Sequence, residues 1–175
     1  INQQLVDSLI NQLPAFDVLE IDLLPAIQSP FNFREMKMMK RRTNLIQLTE
    51  QHEIYDRFKA SLKRQIRKAD RTLNIVESDD IELFYKLHSL TFSKQQKEPA
   101  VSLDIYKSYW NCCKDSNCGR LFFIQDEQQR ALATLILAFD NSTAYYLAGG
   151  SDAEFYNTGG MSRLMWHAIQ ESFLM

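Results

Sequence analysis

Apolar residues recur along this chain with two different periods, and the switches between them divide it into elements. Leu5, Leu9, Ile10 and Leu13 fall at helical spacing until Pro14 interrupts them, and Phe16–Leu24 then alternates apolar and polar positions as a strand does. After Pro25 and Pro30, residues 32–40 suit a short helix, and Thr43–Thr49 alternates again. The first fifty residues therefore predict the order α-β-α-β. That is no complete domain, because two strands and two short helices cannot cover their own apolar faces.

Thr49 is a candidate N-cap, with Glu50 and Glu53 in the first turn where negative charge suits the helix dipole, and the pattern predicts one helix to about Thr72. Phe58, Leu62, Ile66, Ala69 and Leu73 share one face of it. Arg57, Arg64, Arg67, Lys68 and Arg71 share the opposite face within about a 100° arc. Such a stripe is either a solvated surface or an anion site, and few acidic residues stand four positions away to neutralise it.

Beyond it, Leu73–Glu77 reads as a short strand, Ile81–Phe92 as a helix, and Leu103–Cys113 as a second helix with Leu103, Tyr106, Trp110 and Cys113 as its buried stripe. Three strands follow, Arg120–Gln125, Ala131–Phe139 and Thr143–Ala148, joined by short polar turns at Asp126 and Asp140 that suit antiparallel hairpins. After a glycine-containing loop, Met161, Leu164, Met165, Ala168 and Ser172 form the stripe of a last helix.

Composition narrows the class. With 175 residues, 45% hydrophobic and 24% charged, the chain has the make-up of a globular protein, and a net charge of −2 supplies no global field for a polyanion, so any phosphate contact must be local. No apolar run approaches the roughly 20 residues of a membrane-spanning helix. The odd set Cys112, Cys113 and Cys118 suits reduced thiols in the cytoplasm, and its spacing with His52, His88 or His167 matches no standard zinc site, so no metal is expected. The start at Ile1, without an initiator Met, predicts a piece of a longer chain.

The order strand, helix, helix, three-strand meander, glycine loop, helix resembles the first part of the GNAT acyltransferase fold. Four stretches extend the resemblance to the FemABX branch, which carries two such units in tandem. Tyr55–Asp70 contains Arg64-Gln-Ile-Arg-Lys-Ala69, similar to that branch's Arg-rich hallmark helix. Leu87-His-Ser-Leu-Thr-Phe92 is similar to its H-x-x-T helix, Ala144–Asp152 to its fourth strand and turn, and Gly160–Ile169 to its third helix. The resemblance implies an α/β (α+β) GNAT-like fold, a mixed sheet flanked by helices, truncated at both ends. Residues 1–49 would end a first unit, 50–72 would be a basic connecting helix, and 73–175 would begin a second unit lacking its fifth strand.

It further implies a cytoplasmic bacterial N-acyltransferase that moves an acetyl or aminoacyl group from coenzyme A or tRNA to an amine, with a peptidoglycan precursor as one acceptor. The alternative is a catalytically degenerate unit that binds tRNA or a protein partner. Such chemistry needs a cradle for a phosphate-rich donor, and many GNAT enzymes present helix-terminal N–H groups from a Q/R-x-x-G-x-G/A loop. Asn157, Gly159, Gly160 and Ser162 are the nearest match here, although the leading Arg or Gln is missing. An ordinary turn would look the same. Arg64, Arg67, Lys68 and Tyr145 complete the candidate donor set. Asp152 and Tyr146 are the candidate catalytic groups, at the exit of the strand lining the cleft and on it. His88, Thr91 and Gln95 are candidates for the acceptor cleft, with a hydrogen-bonded core histidine as the other reading of His88.

Overall fold

The computed structural model describes Ser8, Asn11, Gln12 and residues 43–93 and 96–174, and the chain divides into two compact units, Ile1–Leu45 and Ile46–Met175. Of the first unit, Ser8, Asn11 and Gln12 are helical, with Gln12 Nε2 donating to Ser8 Oγ at 3.3 Å. The strand expected at Phe16–Leu24, the helix at 32–40 and Gln95 lie outside the described residues. Thr43–Thr49 forms no strand: Leu45, Ile46 and Leu48 are exposed, and no described strand offers them a ladder, without which alternation alone stabilises nothing.

The single basic helix expected from Thr49 to Thr72 is two helices, α1 (Gln51–Asp56) and α2 (Ala60–Ala69), and Glu50 rather than Thr49 stands at the first N-cap, without a side-chain bond. The break falls at Lys59, whose extended backbone (ψ 146°) separates the two helices. Tyr55 and Phe58, on α1 and in the break, both turn onto Trp166, each with ring centroids 5.3 Å from it. Lys63 bridges the break, donating to the Asp56 carbonyl at 3.0 Å. Arg57 falls at the break, so the cations of α2 proper are Lys63, Arg64, Arg67 and Lys68.

Four strands follow, β1 (Asn74–Glu77), β2 (Gly119–Gln125), β3 (Ala131–Phe139) and β4 (Ala144–Ser151), ordered β1-β2-β3-β4. Every pairing among them is antiparallel, so the described sheet is not mixed as expected. The hairpin turns form where the sequence placed them. Asp126 accepts from the N–H groups of Gln128 and Arg130, and Asp140 from those of Ser142 and Thr143.

Strand β3 is buried from Leu132 to Ala138 because both faces of the sheet are covered. On one face α3 (Ile81–Ser93) and α4 (Leu103–Asp115) pack Phe84, Leu87, Trp110 and Cys113 on Leu121, Phe123 and Ile136. On the other, α5 (Gly160–Glu171) packs Leu164 and Ala168 on Phe122, Ile124, Leu135 and Leu137. Helix α4 starts at Ser102, whose hydroxyl accepts from the Ile105 N–H. Helix α2 lies on α5, burying Ile66 against Trp166.

Strand β4 runs three residues further than its apolar pattern, through Gly149 and Gly150, because helix α3 meets it at backbone distance. A Cβ at residue 150 would stand 2.5 Å from both the His88 nitrogen and the Leu87 carbonyl oxygen. Opposite Ile136 and Leu137 the register slips, leaving Leu147 as the extra residue of a bulge on this edge strand. Gly150→Ala should therefore force α3 off the sheet and cost about 2 kcal/mol of unfolding free energy, the usual scale of overpacking. Urea denaturation measures it, and a loss below about 0.5 kcal/mol, the scale of an inert surface change, would show that α3 yields freely.

Candidate active site

Donor-side residues converge where β4 ends. Asp152 leaves the strand, donates its N–H to the Leu132 carbonyl at 3.0 Å, and accepts from the Glu154 N–H at 3.0 Å, starting a 3-10 turn over Ala153–Thr158. The turn ends at Gly159 with φ of 81°, a left-handed conformation that a side chain would strain. The same residue lies against α2, where a Cβ would stand 2.5 Å from the Gln65 carbonyl oxygen. Thr158 Oγ1 accepts from the Gly160 N–H at 3.2 Å, and the Met161 and Ser162 N–H groups have no partner among the described residues. These two donors belong to the first turn of α5, the positive end of its dipole.

A pocket of about 250 Å³ opens there, lined by Ser151, Phe155, Gly159, Gly160, Met161 and Ser162 together with the start of β3. Three of the sequence-derived donor candidates, Gly159, Gly160 and Ser162, thus share one wall. Ser162 offers its backbone, since its hydroxyl donates to Gln65 Oε1 at 2.9 Å. Arg163 pairs with Asp70, which with the Gln65 contact locks α2 beside the mouth of α5. Lys68 Nζ donates to the Asn157 carbonyl at 2.7 Å, so this pair braces the 3-10 turn. Arg67 donates to the Lys63 carbonyl, and Arg64 is exposed along the same helix.

The remaining donor candidate, Tyr145, does not reach the pocket. Its hydroxyl donates to Asp140 Oδ2 at 3.0 Å across the hairpin turn, and that bond, after the Ser142 N–H, holds the Asp140 carboxyl below its ordinary range. Arg130 and Phe155 carry no signal beyond a polar turn and one apolar residue in a polar stretch. The structure brings them together at the pocket's rim, with the guanidinium 5.2 Å from the Phe155 ring centroid and tied to Asp126 at 2.6 Å.

The acceptor-side candidates lie on the other side of β4. His88 is 8% exposed, so the core reading holds for its burial. Its Nδ1 lies 2.8 Å from the Gly149 carbonyl oxygen, which can only accept, so Nδ1 carries the proton, while Nε2 faces the Tyr106 hydroxyl at 3.2 Å. Thr91 Oγ1 accepts from the Ser151 N–H at 3.4 Å, joining α3 to a residue of the donor pocket. Tyr146 is 48% exposed, but its hydroxyl lies over the bare Cα of Gly149, and that burial pushes the phenol above its ordinary pKa. Such a group holds its proton at neutral pH and can donate it. Burial also raises Tyr106, helped by the Tyr85 and Tyr146 phenols. Asp152 spends one carboxylate oxygen on its turn, so its local task is capping.

Among the described residues no helix is long and apolar enough to cross a membrane, and no cluster of three or more metal-ligating side chains occurs.

In the solved structures, FemX is similar with a TM-score of 0.64 at 12% identity, covering 71% of this chain and 48% of FemX, so the chain spans about half of that protein's length. A predicted acetyltransferase with acetyl-CoA from Clostridium acetobutylicum gives a TM-score of 0.48 at 17% identity, over 58% of this chain and 73% of that one. Spermidine N-acetyltransferase from Vibrio cholerae gives 0.44 at 19% identity, over 60% and 66%. No curated protein sequence matches. A model of the acetyltransferase (GNAT) domain matches residues 56–173, well over half the chain. The chain therefore belongs to the acetyltransferase (GNAT) domain family, with a fold similar to that of FemX.

Proposed function

We propose that this chain carries the donor-binding side of an N-acyltransferase that moves an acyl group from a coenzyme A thioester to an amine. One observation carries this reading: the unpartnered Met161 and Ser162 N–H groups, set by left-handed Gly159 at the start of α5, face a pocket of about 250 Å³. Backbone donors at a helix N-terminus suit a pyrophosphate without any side-chain charge, which answers the missing Arg or Gln of the loop. The thioester carbonyl would then lie along the bulged edge of β4. Attack by the amine forms the C–N bond, the C–S bond breaks, and the Tyr146 phenol is placed to protonate the sulfur.

A second donor, aminoacyl-tRNA, is favoured by the exposed cations Arg64 and Arg67 on α2, the helix that meets Gly159, and Arg71 just after it. The FemABX motifs support an amine on a peptidoglycan precursor as acceptor, in a bacterial cytoplasm. Labelled acetyl-CoA and labelled charged tRNA, each incubated with the full chain and an amine, separate the donors. Transfer from acetyl-CoA alone is expected. Binding of either donor without transfer would instead mark a degenerate binding module.

Two variants sharpen the test. Gly159→Ala should cost about 1–2 kcal/mol of stability through its left-handed backbone and push α2 from the pocket, weakening acetyl-CoA affinity in calorimetry. An unchanged affinity would remove the loop from donor binding. Replacing Arg64, Arg67 and Arg71 together with Ala should leave acetyl-CoA affinity within about twofold; if tRNA is the donor, it should flatten the log–log salt dependence of tRNA binding by about 2.

A further inference from the structure

Only two polar residues are buried in the described core, and they are used differently. Thr134 closes on itself, its hydroxyl donating to the Phe122 carbonyl at 2.9 Å. His88 bonds at both ends: Nδ1–H donates to Gly149, and Nε2 is turned towards a phenol rather than a backbone group. The bond to Gly149 alone would be served by an asparagine. The ring is held in place by Phe84, stacked at 5.5 Å with 12° between planes, and by the edge-on Phe92 and Tyr106 rings at 5.0 and 5.4 Å. Tyr106 is half-buried on α4, and burial first, then the Tyr85 and Tyr146 phenols, push its pKa above the ordinary value. From His88 in the core the hydrogen bond thus leads outward to the half-buried phenol of Tyr106.

We infer that Tyr106 is the group that takes the proton of the acceptor amine, with His88 acting through it as the base that receives the phenol's own proton. This rests on the acyltransferase reading above and assigns the base which that reading leaves open. As the amine nitrogen attacks the acyl carbonyl, the C–N bond forms and one N–H proton passes to Tyr106 Oη. The phenol's proton moves along its hydrogen bond to His88 Nε2. The imidazolium then donates through both nitrogens, to Gly149 and to Tyr106. The electron pair of the breaking C–S bond stays on sulfur, which takes the Tyr146 proton, and the proton held by His88 returns through Tyr106 to the Tyr146 phenolate, so the relay is reset. The raised pKa of Tyr106 fits a concerted exchange, because the phenol never has to carry a negative charge.

The test uses the full chain, acetyl-CoA as donor, and propylamine and hydroxylamine as probe amines small enough to need no dedicated acceptor contacts. Tyr106→Phe keeps the ring and removes the hydroxyl. It should lower kcat by about 100-fold, the lower range for a general base, with KM for acetyl-CoA unchanged. His88→Asn keeps a donor for Gly149 and loses the acceptor for Tyr106, whereas His88→Gln reaches Tyr106 but is not basic. Both should lose rate as Tyr106→Phe does. Wild-type kcat in Tyr106→Phe or in His88→Asn would overturn the relay while leaving acyl transfer standing. No transfer by the wild-type chain would overturn the acyltransferase reading and the relay with it. Nitrogen-15 histidine NMR of the wild-type chain provides a readout independent of folding in any variant. His88 should show a protonated Nδ1 and a bare Nε2 at neutral pH, and a protonated Nε2 would overturn the relay.

Discussion

Helix α3 rests on strand β4 at backbone distance, and that contact exists because residue 150 has no side chain. Leu87 and His88 occupy the space where a Cβ would sit. The consequences spread from there. With α3 this close, the His88 ring spans the gap to the Gly149 carbonyl, and Thr91 reaches the Ser151 N–H, so the end of the edge strand is held by side chains rather than by a further strand among the described residues. An edge strand held in this way keeps polar backbone available on its free side, as a donor thioester requires.

The opposite face uses the same device with a different partner. Gly159 lets the turn before α5 touch the Gln65 carbonyl, and the contacts Gln65 to Ser162 and Asp70 to Arg163 then fix α2 along α5. Two close backbone approaches thus frame β4, one from α3 and one from α2. The first brings together the His88 imidazole and the Tyr106 phenol, the second a corner of backbone N–H groups at the start of α5. Ser151 belongs to both, lining the pocket while bonded to Thr91.

How much of this was legible in the sequence differs by element for physical reasons. Ala131–Phe139 was readable to the residue, since a strand covered on both faces must be apolar throughout. The hairpins were readable because Asp126 and Asp140 form their turns locally. The end of β4 was not, since Gly149-Gly150 looks like a turn, and the demand for glycine comes from a helix sixty residues earlier. The break between α1 and α2 was not legible either, since it rests on the extended backbone of Lys59, and no glycine or proline marks it. For the candidate site, the loop pattern singled out Gly159, Gly160 and Ser162, which line one pocket. Period-2 alternation showed only that Tyr145 and Tyr146 part company, and the hydroxyl of Tyr145 went to the hairpin because Asp140 was within its reach.

His88 shows why the two sequence readings of a buried histidine need not compete. A histidine placed only for packing gains nothing from a second nitrogen, and one placed only for catalysis gains nothing from burial among Phe84, Phe92 and Tyr106. Here burial fixes the ring, the Gly149 carbonyl fixes the tautomer, and the remaining nitrogen is left with a single neighbour through which to act. The same low-dielectric surroundings that raise the phenol of Tyr106 make it a poor place to leave a charge and a good place to pass a proton. The start of α5 differs, with the Met161 and Ser162 N–H groups at the positive end of its dipole and without a partner among the described residues. Neither arrangement places an unpaired charge in the described core, where an uncompensated ion would be costly.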